Sequence, residues 1–185
     1  MQKKIVIGIT GMPGAGKASA EEIFRQKDYP IIVMGDEVRE EAKKRNLKPT
    51  PENLGRIMLQ IRAEEGPAVL AKRCIPKIKA ANSDIVVVDG IRSPQEMDEY
   101  KKAFQNFIVI AIHASPKTRF KRLLARGRSD DPKDWETFIA RDKRELSVGL
   151  GGVIATADYM LINEGKKSRL MSELNKILWR CLENK

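Results

Sequence analysis

The feature that most limits what this chain can fold into is Gly11-Met12-Pro13-Gly14-Ala15-Gly16-Lys17-Ala18-Ser19, set between the β-branched run Lys4 to Thr10 and a helical stretch from Lys17 to about Gln26. Its three glycines permit backbone conformations that turn successive N–H groups inward, toward the oxygens of a phosphate. The helix that follows brings the positive end of its dipole to the same point, and Lys17 adds a movable cation for the outer phosphates. Glycine, four residues, then Gly16-Lys17, directly after a hydrophobic strand and before a helix, is the context in which this pattern becomes specific for nucleotide phosphates.

The rest of the chain reads as strands alternating with helices. Apolar runs end in Ile31-Ile32-Val33-Met34, Asp84 to Asp89, Phe107 to His113 and Tyr159 to Ile162, and they are continuous rather than alternating. Such strands are covered on both faces, which is the signature of a parallel sheet in an α/β fold. Helices are expected over Glu37 to Arg45, from Pro51 behind a Thr50 cap, over Ala68 to Ala81, Pro94 to Phe104, Pro116 to about Arg126, Trp135 to Leu146 and Leu170 to Cys181. Gly149-Leu150-Gly151-Gly152 reads as a flexible turn.

At 185 residues the chain suffices for one sizeable core with small appended segments. Its longest apolar runs are strand-sized, and the expectation is a soluble cytoplasmic protein without a membrane partner. Cys74 and Cys181 stand in no metal-ligand spacing and read as reduced, incidental thiols. The net charge of +10 is confined to two segments: residues 39 to 80 hold eleven Lys and Arg against five Asp and Glu, and residues 115 to 145 hold ten against six. Two basic insertions in a neutral body suit a polyanion bound between them.

Asp89 ends a buried strand at the edge where parallel sheets take ligands, which makes it the candidate to hold magnesium through water. Arg92 follows three residues on. Arg119, Arg122, Arg126 and Arg128 form the densest arginine cluster, with Arg122 and Arg126 on one helix face, and planar guanidinium groups suit phosphate oxygens. His113, the single histidine, is assigned a structural role, since phosphoryl transfer does not require imidazole.

Several of these segments resemble nucleotide kinases. The position after Lys17 is Ala18, with a hydroxyl only at Ser19, a shift also found in adenylate kinases, whose loops run glycine-lysine-glycine-threonine. Gly35-Asp36-Glu37-Val38-Arg39 is similar to their Gly-Asp-x-x-Arg, which implies acceptor-side roles for Asp36 and Arg39. Asp89-Gly90-Ile91-Arg92 resembles their Asp-Gly-x-x-Arg with one residue fewer, implying catalytic and acceptor-binding work for Arg92. Arg128-x-Asp130-Asp131, with Arg141 further on, looks like their lid, and Ala157 to Gly165 is similar to the last strand and loop of dephospho-CoA kinases, where Asn163 is placed near the base.

Over nearly its whole length the chain resembles a group of mostly archaeal P-loop proteins related to adenylate kinase and dephospho-CoA kinase. That resemblance implies a P-loop fold with a five-stranded parallel sheet, an acceptor-binding insertion near 39–80 and a lid near 127–142, all in one domain over 1–185. It implies ATP and Mg2+ as cofactors, with the loop residues 11–19, Arg122 and Asn163 on the nucleotide. Lys17, Asp89, Arg92, Arg126 and Arg141 are the expected catalytic set, and Ser19 is a lesser metal contact. The expected activity is phosphoryl transfer to a small phosphate-bearing acceptor, a nucleoside monophosphate or a dephospho-CoA-like molecule. The rival is a nucleotide-dependent regulator or RNA-associated ATPase, for which the positive charge speaks.

Overall fold

The computed structural model describes residues 4–128 and 131–183. Five strands, β1 (Ile5–Thr10), β2 (Ile31–Val33), β3 (Ile85–Asp89), β4 (Asn106–His113) and β5 (Tyr159–Ile162), form one parallel sheet in the order β2-β3-β1-β4-β5. Nine helices lie among the described residues: α1 (Lys17–Gln26), α2 (Met34–Lys44), α3 (Pro51–Glu65), α4 (Val69–Ala80), α5 (Pro94–Ala103), α6 (Pro116–Arg126), α7 (Trp135–Ser147), α8 (Leu150–Ala155) and α9 (Lys167–Glu183).

The inner strands β1, β3 and β4 are covered on both faces, whereas the edge strand β5, expected to be covered likewise, leaves Met160 and Ile162 exposed because no further strand or helix among the described residues packs over them. On one side Ile5, Ile7, Ile9, Val87, Ile110 and Ile112 pack against Ile23 and Phe24 of α1 and Leu170, Leu174 and Leu178 of α9. On the other, Val6, Val86, Val88 and Val109 meet Ile57, Ile61, Leu70, Ile78, Met97 and Tyr100 of α3, α4 and α5. Chain direction places β1 and β4 side by side while their connections leave toward opposite edges, and the crevice beyond their carboxyl ends is where such sheets bind ligands.

Local chemistry sets several helix starts. Thr50 accepts from Asn53 N at 3.3 Å with Pro51 at the first helical position of α3. Ser93 and Glu96 form a reciprocal capping box at α5, and Asp134 caps α7 by accepting from Thr137 N at 2.7 Å.

Two elements depart from the sequence reading. Gly35 and Asp36 lie inside α2, which begins at Met34 rather than Glu37 and takes two acidic residues, Asp36 and Glu37, into its positive first turn. Gly149 to Gly152 is not a flexible turn: residues 150–155 form α8, entered through Gly149 at φ 110°. A Cβ on Gly149 would stand 2.9 Å from Pro94 Cδ, and one on Gly152 3.3 Å from Pro94 Cγ. The glycines are there to let this short helix lie against the start of α5, so close packing overrides their low helix propensity.

Candidate functional site

The glycine-rich loop leaves β1 and enters α1 with Gly14 at φ 81° and Gly16 at φ 108°. A side chain is excluded at both. A Cβ on Gly14 would meet Arg119 O at 2.7 Å, and one on Gly16 would collide with the Asn163 amide. Gly16 is the N-cap of α1 with no side-chain cap, so the first N–H groups of that helix are left for a ligand. Lys17 Nζ folds back onto Gly11 O at 2.8 Å. Burial lowers the Lys17 pKa, opposed by the negative charge of Asp89 and assisted by Arg92. An anion placed here relieves that strain on the ammonium.

The loop is braced from outside by residues far along the chain. Ala15 O accepts from Asn163 Nδ2 at 2.8 Å and from Arg122 Nη1 at 3.3 Å, and Arg122 Nη2 donates to Asn163 O at 2.9 Å. Asn163, expected near a base, is 6% exposed and directed at the loop backbone. Arg119 donates to Pro13 O at 3.2 Å and to Ala114 O at 3.2 Å while pairing with Asp142.

Asp89 lies at the end of β3, paired in register with Ile9 of β1 and Val33 of β2. Its Oδ1 is buried and has no hydrogen-bond partner among the described residues. An orphaned carboxylate oxygen beside Lys17 fits a metal-bound water, which would satisfy it. No group of three or more His, Cys, Asp or Glu that could hold a metal directly occurs among the described residues, so the fit is to an ion held chiefly by phosphates and water. Glu21, one turn into α1, also feels Asp89: burial raises its pKa, and the Asp89 charge raises it further.

Arg92 stands where two hollows meet. The smaller is walled by Gly11, Pro13, Lys17 and Ile91. The larger is a cleft with an apolar floor of Met34, Val38, Leu54, Met58 and Leu70 and with Arg39, Arg141 and Arg144 around it. Arg92, Gly90 and Glu145 border both. The Arg92 backbone is fixed by Glu96, whose Oε2 accepts Arg92 N at 2.7 Å and whose Oε1 accepts Arg62 Nη2 of α3 at 2.5 Å. Its guanidinium reaches Glu145 of α7, with Nη1 3.0 and 2.9 Å from the two carboxylate oxygens.

Of the other expected residues, Asp36 and Arg39 make an exposed pair at 2.5 Å on the first turns of α2, and of the two only Arg39 lines the larger cleft. Arg126 and Arg141 converge on Asp131: Arg126 Nε donates to Oδ2 at 2.8 Å, and Arg141 Nη1 lies 3.5 Å from Oδ1. Ser129 and Asp130 lie outside the described residues. Ser19 is half-buried on the first turn of α1, and His113 is exposed.

The structure therefore gathers Lys17, Asp89 and Arg92 at the crevice and sets Arg39 and Arg141 on the cleft beside it. The sequence reading did not single out Glu145, Glu96, Arg62 or Asp142. Ser93-Pro94-Gln95-Glu96 carries a capping-box signal that could have found Glu96. No local pattern marks Glu145, which acts only through contacts 53 residues away.

A family model described as an AAA domain matches residues 10–138. The UPF0200 protein of Pyrococcus furiosus is 44% identical over 185 residues, covering 98% of this chain and 100% of the relative. That of Methanocaldococcus jannaschii is 46% identical over 182 residues, covering 97% and 92%. Among solved structures, a shikimate kinase from Acinetobacter baumannii in complex with shikimate superposes with a TM-score of 0.61 at 15% identity, covering 100% of this chain and 96% of that one. A gluconokinase from Sinorhizobium meliloti gives 0.62 at 16% identity, with 100% and 97% covered. At such identities the likeness speaks for the fold alone. The chain belongs to the UPF0200 family and has the five-stranded, parallel α/β fold of P-loop kinases.

Proposed function

We propose that this protein transfers the terminal phosphoryl group of ATP to a small phosphate-bearing acceptor, a nucleoside monophosphate or a dephospho-CoA-like molecule. One observation carries the reading: the phosphate loop with Lys17 and the arginine-rimmed, apolar-floored cleft meet at a shared wall of Gly90, Arg92 and Glu145. A donor on one side and an anionic acceptor on the other meet over a guanidinium.

In this reading the N–H groups of residues 11–19 and Lys17 hold the donor's phosphates, with Arg122 and Asn163 keeping the loop in shape. Asp89 holds water on Mg2+, which when bound neutralises charge on the outer phosphates. The insertion over 39–80 supplies one wall of the acceptor cleft, with Arg39 on the acceptor and Asp36 paired to that arginine. The segment 127–142 acts as a lid, bringing Arg126 and Arg141 to the transferred group and excluding water, so that transfer outruns hydrolysis. Little covalent help is needed, because positioning and positive charge lower most of the barrier.

The basic segment 39–80 offers less to a nucleic acid than its composition suggests. Arg45 and Arg73 are engaged by Glu41, Glu64 and Glu65, Arg62 by Glu96, and Lys77 by Glu37 and Glu40. This favours the small-molecule reading over an RNA-associated ATPase.

The test is transfer of label from γ-labelled ATP to the nucleoside monophosphates and to dephospho-CoA, with Lys17→Ala as control. Acceptor-dependent product that vanishes in the variant is the expected result. Hydrolysis with no labelled acceptor across the panel overturns the proposal.

A further inference from the structure

Glu145 is the only carboxylate bordering either hollow among the described residues, and it borders both. It is buried, its side chain 6% exposed, on a helix pinned three residues earlier by the Arg119–Asp142 pair. Arg92 engages it through Nη1 alone, while Nη2 and Nε make no hydrogen bond with the described residues. One guanidinium can thus hold the carboxylate and still present donors to a phosphoryl group, which leaves the Glu145 oxygens beside the atom that attacks.

That position bears on what the attacking atom is. A phosphate monoester, with a second pKa of about 6, is already anionic at neutral pH and needs no proton acceptor. A carboxylate next to it adds a third negative partner to two phosphates and opposes their approach. A hydroxyl is the reverse case, since it is neutral when it binds and must lose its proton as the new bond forms.

We propose that Glu145 is the proton acceptor for an alcohol nucleophile, so that of the two acceptor types named above the substrate is the phosphate-bearing alcohol, phosphorylated on its hydroxyl. The inference rests on the kinase reading. The hydroxyl oxygen forms a bond to the γ phosphorus, and the bond from that phosphorus to the β–γ bridging oxygen breaks with its electron pair left on ADP. The hydroxyl proton passes to Glu145 and from there to water. Transfer late in the reaction lets a carboxylate that is paired with Arg92 serve, because the leaving proton becomes strongly acidic as phosphorus bonds to its oxygen.

The first experiment is product identification with the wild-type protein by phosphorus NMR, using dephospho-CoA, a nucleoside 3′-monophosphate and AMP as acceptors. AMP offers both a phosphate and hydroxyls. A new phosphomonoester is the expected product. A new phosphoanhydride overturns the inference and leaves the kinase reading standing, whereas no product from any acceptor overturns both. The second is Glu145→Gln, which keeps an oxygen for Arg92 Nη1 but takes no proton. It is expected to lower kcat about 10²- to 10³-fold and to abolish the acidic limb of the kcat–pH profile, with ATP affinity changed less than about threefold. If Glu145 only positions Arg92, kcat stays within about threefold and the profile is unchanged, which overturns the assignment. Product chemistry decides the matter even where the variant does not fold.

Discussion

Arg119 of α6 and Asp142 of α7 form a two-point buried ion pair, Nη1 to Oδ1 at 2.8 Å and Nη2 to Oδ2 at 2.5 Å. The guanidinium also sits 4.9 Å above the Phe138 ring and donates to the loop carbonyl of Pro13. The phosphate loop, α6 and α7 are therefore joined at a single side chain. Asp142→Ala leaves a buried cation unpaired, and such a break costs about 3–5 kcal/mol. Urea denaturation of the variant is expected to show a loss of that size, and a shift below about 1 kcal/mol would mean that the pair does not hold α7 in place.

Asn163 braces the glycine-rich loop through Ala15. Removing its amide by Asn163→Ala takes away the shorter of the two hydrogen bonds to Ala15 O and keeps that from Arg122. A net hydrogen bond is worth about 1 kcal/mol, so ATP affinity measured by equilibrium dialysis is expected to fall roughly fivefold. Affinity unchanged by the variant would place the bracing of the loop elsewhere.

Asp131 makes the segment before α7 sensitive to acid. Burial alone raises its pKa, but hydrogen bonds from Arg126 and from Arg128 N, with the charges of Arg126 and Arg141, outweigh burial and hold the carboxyl below its ordinary value. With the folded pKa depressed, the stabilisation is complete above the unfolded pKa of about 3.9 and drains away as pH falls through the folded one. Thermal melts at a series of pH values are expected to show wild type and Asp131→Asn differing at pH 6 and converging below about pH 4. A constant gap across that range contradicts the linkage.

Cys74 is a thiol kept out of chemistry. Burial, reinforced by the Glu37 charge, pushes its pKa up to about 12, and it is fully enclosed under α2. Titration with a disulfide reagent at pH 8 is expected to leave Cys74 unmodified in the native protein and to find both thiols after denaturation. Labelling of Cys74 in the native state, read by mass spectrometry, would falsify this.

Where sequence and structure agree, the deciding interactions are local. Lys17 to Gln26 follows the loop as α1, Thr50-Pro51 opens α3, and the unbroken apolar run Ile85 to Val88 becomes an interior parallel strand between β2 and β1. Each is set by neighbours a few residues away or by the burial of both strand faces. Gly149 to Gly152 misleads because its helix exists only where Pro94, some 55 residues earlier in the chain, leaves no room for side chains. The placement of Lys17, Asp89 and Arg92 was legible because each lies at or shortly after a strand end, and every strand of a parallel sheet ends on the same side.

By itself the sequence determined a phosphate loop at the head of an α/β sheet, because three glycines, a lysine and the flanking strand and helix act within one short stretch, residues 5–26. Only the tertiary structure decided which side chains that loop would meet. Asn163 and Arg122 on Ala15 O, Arg119 between Pro13 and Asp142, and Glu145 across from Arg92 are joined over 23 to 148 positions of chain. Pairing of that kind has no local signature, since a buried charge takes whichever partner the packing of the helices brings within reach.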